Sequence, residues 1–237
     1  MKRIAKSRPS RLASALAAAA NSLHRTLAGQ TRSHHRRDIV RRTRGSLQSS
    51  SVATSLVPAH GGHFDWISDM LREGAQHGSF DAELATPSLA SHLFFDNLRS
   101  VLQTGSFLAD RGQSAPVATA ASGYVFTATR HARAPVPLGF VLFKALDESS
   151  FELWLCGIQR RYRGRGFCRA MLAAALHTPA GMLAHVARVN RSASDRAAMG
   201  KALERCGYRV ALEGPHVRWY LRNDAPAALA ASLGSAR

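Results

Sequence analysis

The sequence predicts an α+β fold, with a mixed central sheet made of an antiparallel meander and a parallel pair, flanked by helices. Three observations predict it. Apolar runs rich in β-branched and aromatic residues at 124–129, 137–145 and 151–158 are separated only by short turns, the pattern of a meander. The third run passes through a turn rich in Arg and Gly directly into the helical pattern Cys168-Arg169-Ala170-Met171-Leu172-Ala173-Ala174-Ala175-Leu176. After that helix come a strand, a second helix and a last strand.

Taken from the N-terminus, the first element is a leader. Residues 1–46 contain 12 Lys or Arg and one acid, Asp38, so about +11 of the formal +17 lies there. Ser, Ala, Arg and His dominate it, and it has too little apolar surface to order itself. Residues 46–55 are Ser-rich and read as linker, and 52–58 (Val52, Leu56, Val57) are a weak strand pattern. Helical spacing begins near Phe64, with Ile67 and Leu71 on its apolar side and Trp66 and Met70 flanking, and Gly74, Gly78 and Asp81 punctuate it. A second helix is predicted over 87–104, with Leu93, Phe94, Leu98, Val101 and Leu102 inward. The meander follows, with turns at 130–135 and 147–150. Beyond the loop helix, 182–189 reads as a strand and 194–206 as a helix closed by Gly207. Residues 217–221 read as a strand through Trp219 and Tyr220. The expected organisation is a basic leader over 1–54, a domain over 55–224 and an Ala-rich tail over 225–237.

The turn between the third strand and its helix carries the chemistry. In Cys156-Gly157-Ile158-Gln159-Arg160-Arg161-Tyr162-Arg163-Gly164-Arg165-Gly166-Phe167 two glycines stand one residue apart among cations. Backbone N–H groups in such a turn face an anion at the positive end of the following helix, which suits a phosphate or pyrophosphate. A Walker loop needs Lys and then Ser or Thr after its last glycine, and Phe167 and Cys168 stand there. A dinucleotide fingerprint needs a third glycine where Arg169 stands.

What remains, Arg161-x-x-Gly164-x-Gly166, matches the Gln/Arg-x-x-Gly-x-Gly/Ala pattern of the GNAT N-acetyltransferases. The chain resembles that family over roughly residues 55–223, including the order of elements and the ending Leu203-Glu204-Arg205-Cys206-Gly207-Tyr208. The family fold usually opens with one further strand, for which 52–58 is the candidate. The resemblance implies acetyl-CoA as acyl donor and cosubstrate, no metal, and direct attack by a primary amine of a small molecule or polypeptide. It implies that Arg161, Arg163, Gly164, Arg165, Gly166, Phe167, Cys168 and Arg169 hold the pyrophosphate. It also implies that the pantetheine arm pairs with the strand at Cys156, Gly157 and Ile158, and that Asn190 contacts that arm. Gly157 is expected to permit close approach, or the bulge that splays this strand from the next.

The histone-acetylating branch has a glutamate six residues before the isoleucine that ends this strand, and Glu152 stands six before Ile158. Glu152 is therefore the expected general base, on one strand face with Trp154 and Cys156. A carboxylate in an apolar cleft has its pKa raised toward that of a base. A solvent-facing glutamate at a strand start has the same spacing, and His185 is a second candidate base. Many members place a tyrosine four residues before the glycine of the helix end, where this chain has Leu203. Ser192, Ser194 or water would then protonate the thiolate, or the domain binds acetyl-CoA without efficient catalysis. Trp66, Phe80, Phe94 and Phe95 lie in the segments expected to choose the substrate, with Asp81, Glu83 and Asp96 as candidate attractors of a cationic amine; core packing is the commoner explanation of such aromatics, and ordinary surface charge of such acids.

Cys156, Cys168 and Cys206 are widely spaced with no Cys-x-x-Cys pair, which argues against a zinc site or disulfide framework and suits a reducing, cytoplasmic compartment. No run approaches the roughly 18 apolar residues of a membrane span. The leader has the composition of a transit or secretion segment, of an arm on nucleic acid or an acidic surface, or of a solvated extension. A nucleic-acid-binding protein and a CoA sensor are the competing readings of the whole chain. The oligomeric state is not legible.

Overall fold

The computed structural model describes residues 52–109, 117–129, 134–227, 229 and 231. The leader up to position 51 and the turn residues 130–133 lie outside the described residues, as does most of the expected tail.

Among the described residues eight strands form the sheet: β1 Ala53–Pro58, β2 Ser106–Ala109, β3 Val117–Thr129, β4 Val136–Ala145, β5 Phe151–Ile158, β6 Ala184–Asn190, β7 Tyr208–Glu213 and β8 Val217–Arg222. Their order is β1-β3-β4-β5-β6-β8-β7, and β2 pairs with the first part of β3. Every pairing is antiparallel except that of β5 with β6. The helices are α1 Phe64–Gln76, α2 Leu89–Thr104, α3 Phe167–Ala175, α4 Pro179–Met182 and α5 Arg196–Glu204.

The mixed sheet with flanking helices is the predicted class, and four differences in the elements have simple causes. Residues 53–58 are a strand, as the weak pattern over 52–58 suggested, so the difference lies in the bounds: the domain takes in part of the expected linker. The strand lies at the sheet edge with four of its six residues exposed, and an edge strand does not need alternation. β3 begins at Val117, seven residues before the expected strand, because its first half is built from small residues with little apolar signal. β2 and β7 were not predicted; both are short and lie at edges. Residues 179–182 form the one-turn helix α4, which takes in Met182, the first residue of the expected strand, since Thr178 caps the N–H of Gly181 and Pro179 occupies the first turn.

The second helix starts at Leu89, where Ser88 and Ser91 exchange side-chain-to-backbone hydrogen bonds of 3.1 and 2.9 Å, and ends at Gly105 with φ 68°. β4 is buried continuously over six residues, as a central strand covered on both faces must be. Phe140 and Leu142 pack under α1 and α2 with Ile67, Leu71 and Leu98. Val141 and Phe143 point to the other face, where they meet Leu153, Leu172 and Leu203. The sheet therefore has α1 and α2 on one side and α3 and α5 on the other.

Gly139 sets how closely β4 and β5 approach. A Cβ there would strike the Gly157 carbonyl oxygen and Ile158 Cδ1, with Met171 Sδ close behind. Gly139→Ala is expected to destabilise the fold by about 1–3 kcal/mol, the usual cost of overpacking, read as a lowered denaturant midpoint at unchanged m-value. An unaltered midpoint would mean that β4 and β5 separate freely at this point.

Candidate functional site

β5 and β6 run side by side only briefly. Phe151 pairs with Ala184, Glu152 with Val186 and Leu153 with Ala187, after which the two strands have no register. The remainder of β5 still pairs with β4, through Leu155, Cys156, Gly157 and Ile158. Its opposite edge thus faces a gap, and backbone groups along that edge lack a strand partner, an arrangement that a bound chain with amide groups satisfies.

The gap opens into a cavity of about 290 Å³ lined by β5 from Leu153 to Ile158 and by β6 from Ala187 to Asn190. Tyr162, Arg163, Gly164, Gly166, Phe167 and Cys168 close the end at the glycine turn, and Met199 and Leu203 of α5 form one wall. Gly164 and Gly166 have φ of 76° and 79°, and a Cβ on either would meet nothing within 4 Å. Backbone conformation, not space, requires glycine at both positions. Gly166 is the N-cap of α3 and offers no side-chain cap. The first N–H groups of the helix are left for an external acceptor, at the positive end of the helix dipole.

The cations of the turn divide into two sets. Arg163 folds inward: its Nε donates to the Ile158 carbonyl at 3.1 Å, Nη1 donates to Ser79 Oγ at 3.0 Å, and Asp195 lies 3.8 Å away. Its side chain therefore ties the loop to its surroundings, and the expected contact with a pyrophosphate falls to its backbone. Arg160 contacts His77 at 2.6 Å. Arg161 donates to Gln159 at 3.1 Å and lies over the Tyr162 ring, while Arg165 and Arg169 are exposed at the rim of the turn. Asn190 lines the cavity, but its amide donates to Asp81 at 2.6 Å and its carbonyl accepts from the N–H and hydroxyl of Ser192 at 2.9 and 2.7 Å. Gly157 is not where the strand bulges. The irregularity between β4 and β5 falls between their Leu142–Leu155 and Phe143–Leu153 pairs and leaves Trp154 as the extra residue.

That bulge redistributes the faces of β5. Trp154 and Leu155 pack with the α1–α2 cluster and Cys156 with the α3–α5 cluster, so Cys156 does not share a face with Trp154. Glu152 is 2% exposed and is absent from the cavity wall. Its Oε2 lies 3.3 Å from Lys144 Nζ of β4, and its Oε1 accepts from Arg188 Nε of β6. With both oxygens held by cations, the carboxylate joins three strands and is not placed to take a proton from an amine. His185 is also buried away from the cavity, with Nδ1 3.6 Å from Asp224 and no hydrogen bond on that atom. Ser192 is held by Asn190, and Ser194 donates to the His77 carbonyl at 3.1 Å; neither lines the cavity. The carboxylates that do line it are Asp81 and Asp195.

Of the aromatic residues considered for the acceptor, Phe80 lines the cavity, and Gly74 leaves the room its ring occupies. Trp66, Phe94 and Phe95 pack in the core. Burial raises the Cys156 thiol well above its usual range and pushes Cys168 up to about 11; the nearby thiols add to both. Cys206 is raised as well, again by burial. Tyr208 is packed, with its hydroxyl donating to the Ala184 carbonyl at 2.6 Å. The sequence reading missed Arg188, Ser79 and Asp195; a cation inside the otherwise buried run Ala184–Asn190 was the available signal for Arg188.

No family model matches the chain, and no curated protein matches it. Among solved structures it is similar to a domain from Methanocaldococcus jannaschii DSM 2661, with TM-score 0.51 and 11% identity over 72% of this chain and 97% of that one. It is also similar to a spermidine N-acetyltransferase from Vibrio cholerae in complex with CoA and spermine, with TM-score 0.47 and 15% identity over 70% and 93%. A third is a GCN5-related N-acetyltransferase from Kribbella flavida, with TM-score 0.47 and 16% identity over 72% and 97%. The fold class expected from the sequence, a mixed sheet of an antiparallel meander and a parallel pair flanked by helices, is the fold class of this chain. No helix among the described residues is long and apolar enough to cross a membrane.

Glu152→Gln leaves Lys144 and Arg188 partly uncompensated and should cost about 3–5 kcal/mol of stability, measured by denaturant unfolding. A variant of native stability that has lost turnover alone would restore the general-base role. Raising Cys168 from 9.0 to about 11 lowers its thiolate fraction roughly a hundredfold at neutral pH. Mass spectrometry after incubation with acetyl-CoA and no amine should accordingly find no acetylated cysteine. A stable acyl-cysteine would contradict direct transfer.

Proposed function

We propose that this chain is a GNAT-type N-acetyltransferase that moves the acetyl group of acetyl-CoA directly to a primary amine. The observation that carries this reading is the parting of β5 and β6 after Leu153, which opens a backbone-lined cavity ending at the uncapped N-terminus of α3. The glycine turn receives the pyrophosphate through its N–H groups, and the pantetheine arm lies along β5 from Leu155 to Ile158 as an added strand. The thioester then rests in the gap.

The chemistry that follows is mainly positioning. Holding amine and thioester together replaces a bimolecular encounter by a local one. Unpaired N–H groups on the β5 edge are oriented toward the oxyanion that forms when the amine attacks the thioester carbonyl. The C–N bond forms first, collapse of the oxyanion then breaks the C–S bond, CoA leaves as thiolate, and the amine proton passes to water near Asp81 and Asp195. Buried Leu203 supplies no acid, and a thiolate departs without one.

Leu203 and the place of Glu152 favour a second reading, a domain that binds acetyl-CoA and transfers its acetyl group poorly. Nucleic-acid binding through the arginine turn is not favoured, because Arg163 is turned inward and Arg160 is held by His77.

Acetyl-CoA at 100 times its Kd should stabilise the protein by about 2.7 kcal/mol, a rise of roughly 5–10 °C in Tm. Gly164→Glu forces a side chain onto a positive φ and puts a carboxylate where a phosphate would bind, so the rise should vanish. No rise in the intact protein removes both readings. A rise without thiol release over a panel of amines leaves the binding domain.

A further inference from the structure

β6 carries two functional side chains on one face. Arg188 and Asn190 are two residues apart, so both point to the same side of the strand at a spacing of about 7 Å, and both line the cavity. Asn190 holds Asp81 at 2.6 Å, which places a carboxylate beside its end of the pair. Arg188 is anchored differently. Its Nε is bound to Glu152, and its guanidinium carbon lies 5.1 Å from the Trp219 ring centroid.

These two anchors use one edge and one face of the guanidinium. Among the described residues neither terminal amino group of Arg188 has a protein acceptor, and the side chain is 36% exposed. Lys144 occupies the other oxygen of Glu152, so the cluster of two cations and one carboxylate has an excess of one positive charge. A planar, pre-oriented pair of donors beside that excess charge suits a carboxylate. The expectation that acidic residues attract a cationic amine is extended accordingly, because Asp81 supplies one negative group and Arg188 a cation two residues along β6 from the Asn190 that holds Asp81.

We infer that the acceptor is an amine that also bears a carboxylate, an amino acid or short peptide, whose ammonium group is drawn toward Asp81 and whose carboxylate docks on Arg188. This rests on the acetyltransferase reading. Arg188 acts here as a specificity-determining residue and takes no part in bond making.

The test measures thiol release from acetyl-CoA for amino acids and dipeptides, each paired with its C-terminal amide, with spermine as the polycationic comparison. The acids should show KM values lower than their amides by roughly tenfold to a hundredfold, the range for a hydrogen bond to a charged group. Arg188→Gln should remove the difference, bringing the ratio of the KM of each acid to that of its amide to about one. Arg188→Lys keeps a cation for Glu152 but loses the fork, so it should give the same result in a protein whose fold is not in question. Equal KM for acid and amide, or a preference for spermine, overturns this inference while the acetyltransferase reading stands. A protein that acetyl-CoA stabilises but that acetylates none of these amines overturns it too. Absence of stabilisation by acetyl-CoA removes the underlying reading and this inference with it.

Discussion

The structure depends on the ion cluster at the point where the sheet divides. Glu152 of β5 is bound by Lys144 of β4 and by Arg188 of β6, at the level of the last pairs the two parallel strands make. Burial of the Glu152 carboxylate and most of Lys144 is expensive, and pairing with each other and with the half-exposed Arg188 offsets it. Desolvation is accordingly the main influence lowering the pKa of Lys144, opposed by its attraction to Glu152. A cluster of this kind holds three strands together at the apex of a gap that the backbone ladder alone would close or leave ragged.

Beyond the apex, side chains from sequence-distant segments define the other end of the gap. Arg163 joins the glycine turn to Ser79, Asn190 joins β6 to Asp81, and Ser194 bonds the backbone at Gly78 and the carbonyl of His77. Each bond reaches the segment after α1. The loop between the first two helices is thereby positioned against both the glycine turn and the start of α5, and Phe80 is carried to the cavity wall. These exposed or half-exposed bonds add little stability one by one. Their effect is geometric, since they hold the wall in register with the strand edge.

Legibility in the sequence followed how local each cause was. The glycine turn was readable because positive φ at Gly164 and Gly166, a preceding strand and a following helix are all written in about ten consecutive residues. The central strands were readable because burial on both faces leaves a continuous apolar run. Edge strands β1, β2 and β7 were hard to read because pairing at an edge constrains few side chains. For Glu152 the spacing to Ile158 was correctly read, yet spacing does not say which atoms surround a carboxylate.

The sequence by itself determined the fold class, the strand-turn-helix unit and its positive-φ glycines, since these depend on backbone sterics and hydrophobic pattern over short stretches. Only the tertiary structure decided what the charged side chains do. A single extra residue at Trp154 separates Cys156 from the face that Trp154 occupies, and pairing across β4, β5 and β6 encloses Glu152 between cations. The same enclosure leaves Arg188 with donors for a ligand. A side chain's role follows from its neighbours in space, and contacts between residues dozens of positions apart are not written in local sequence.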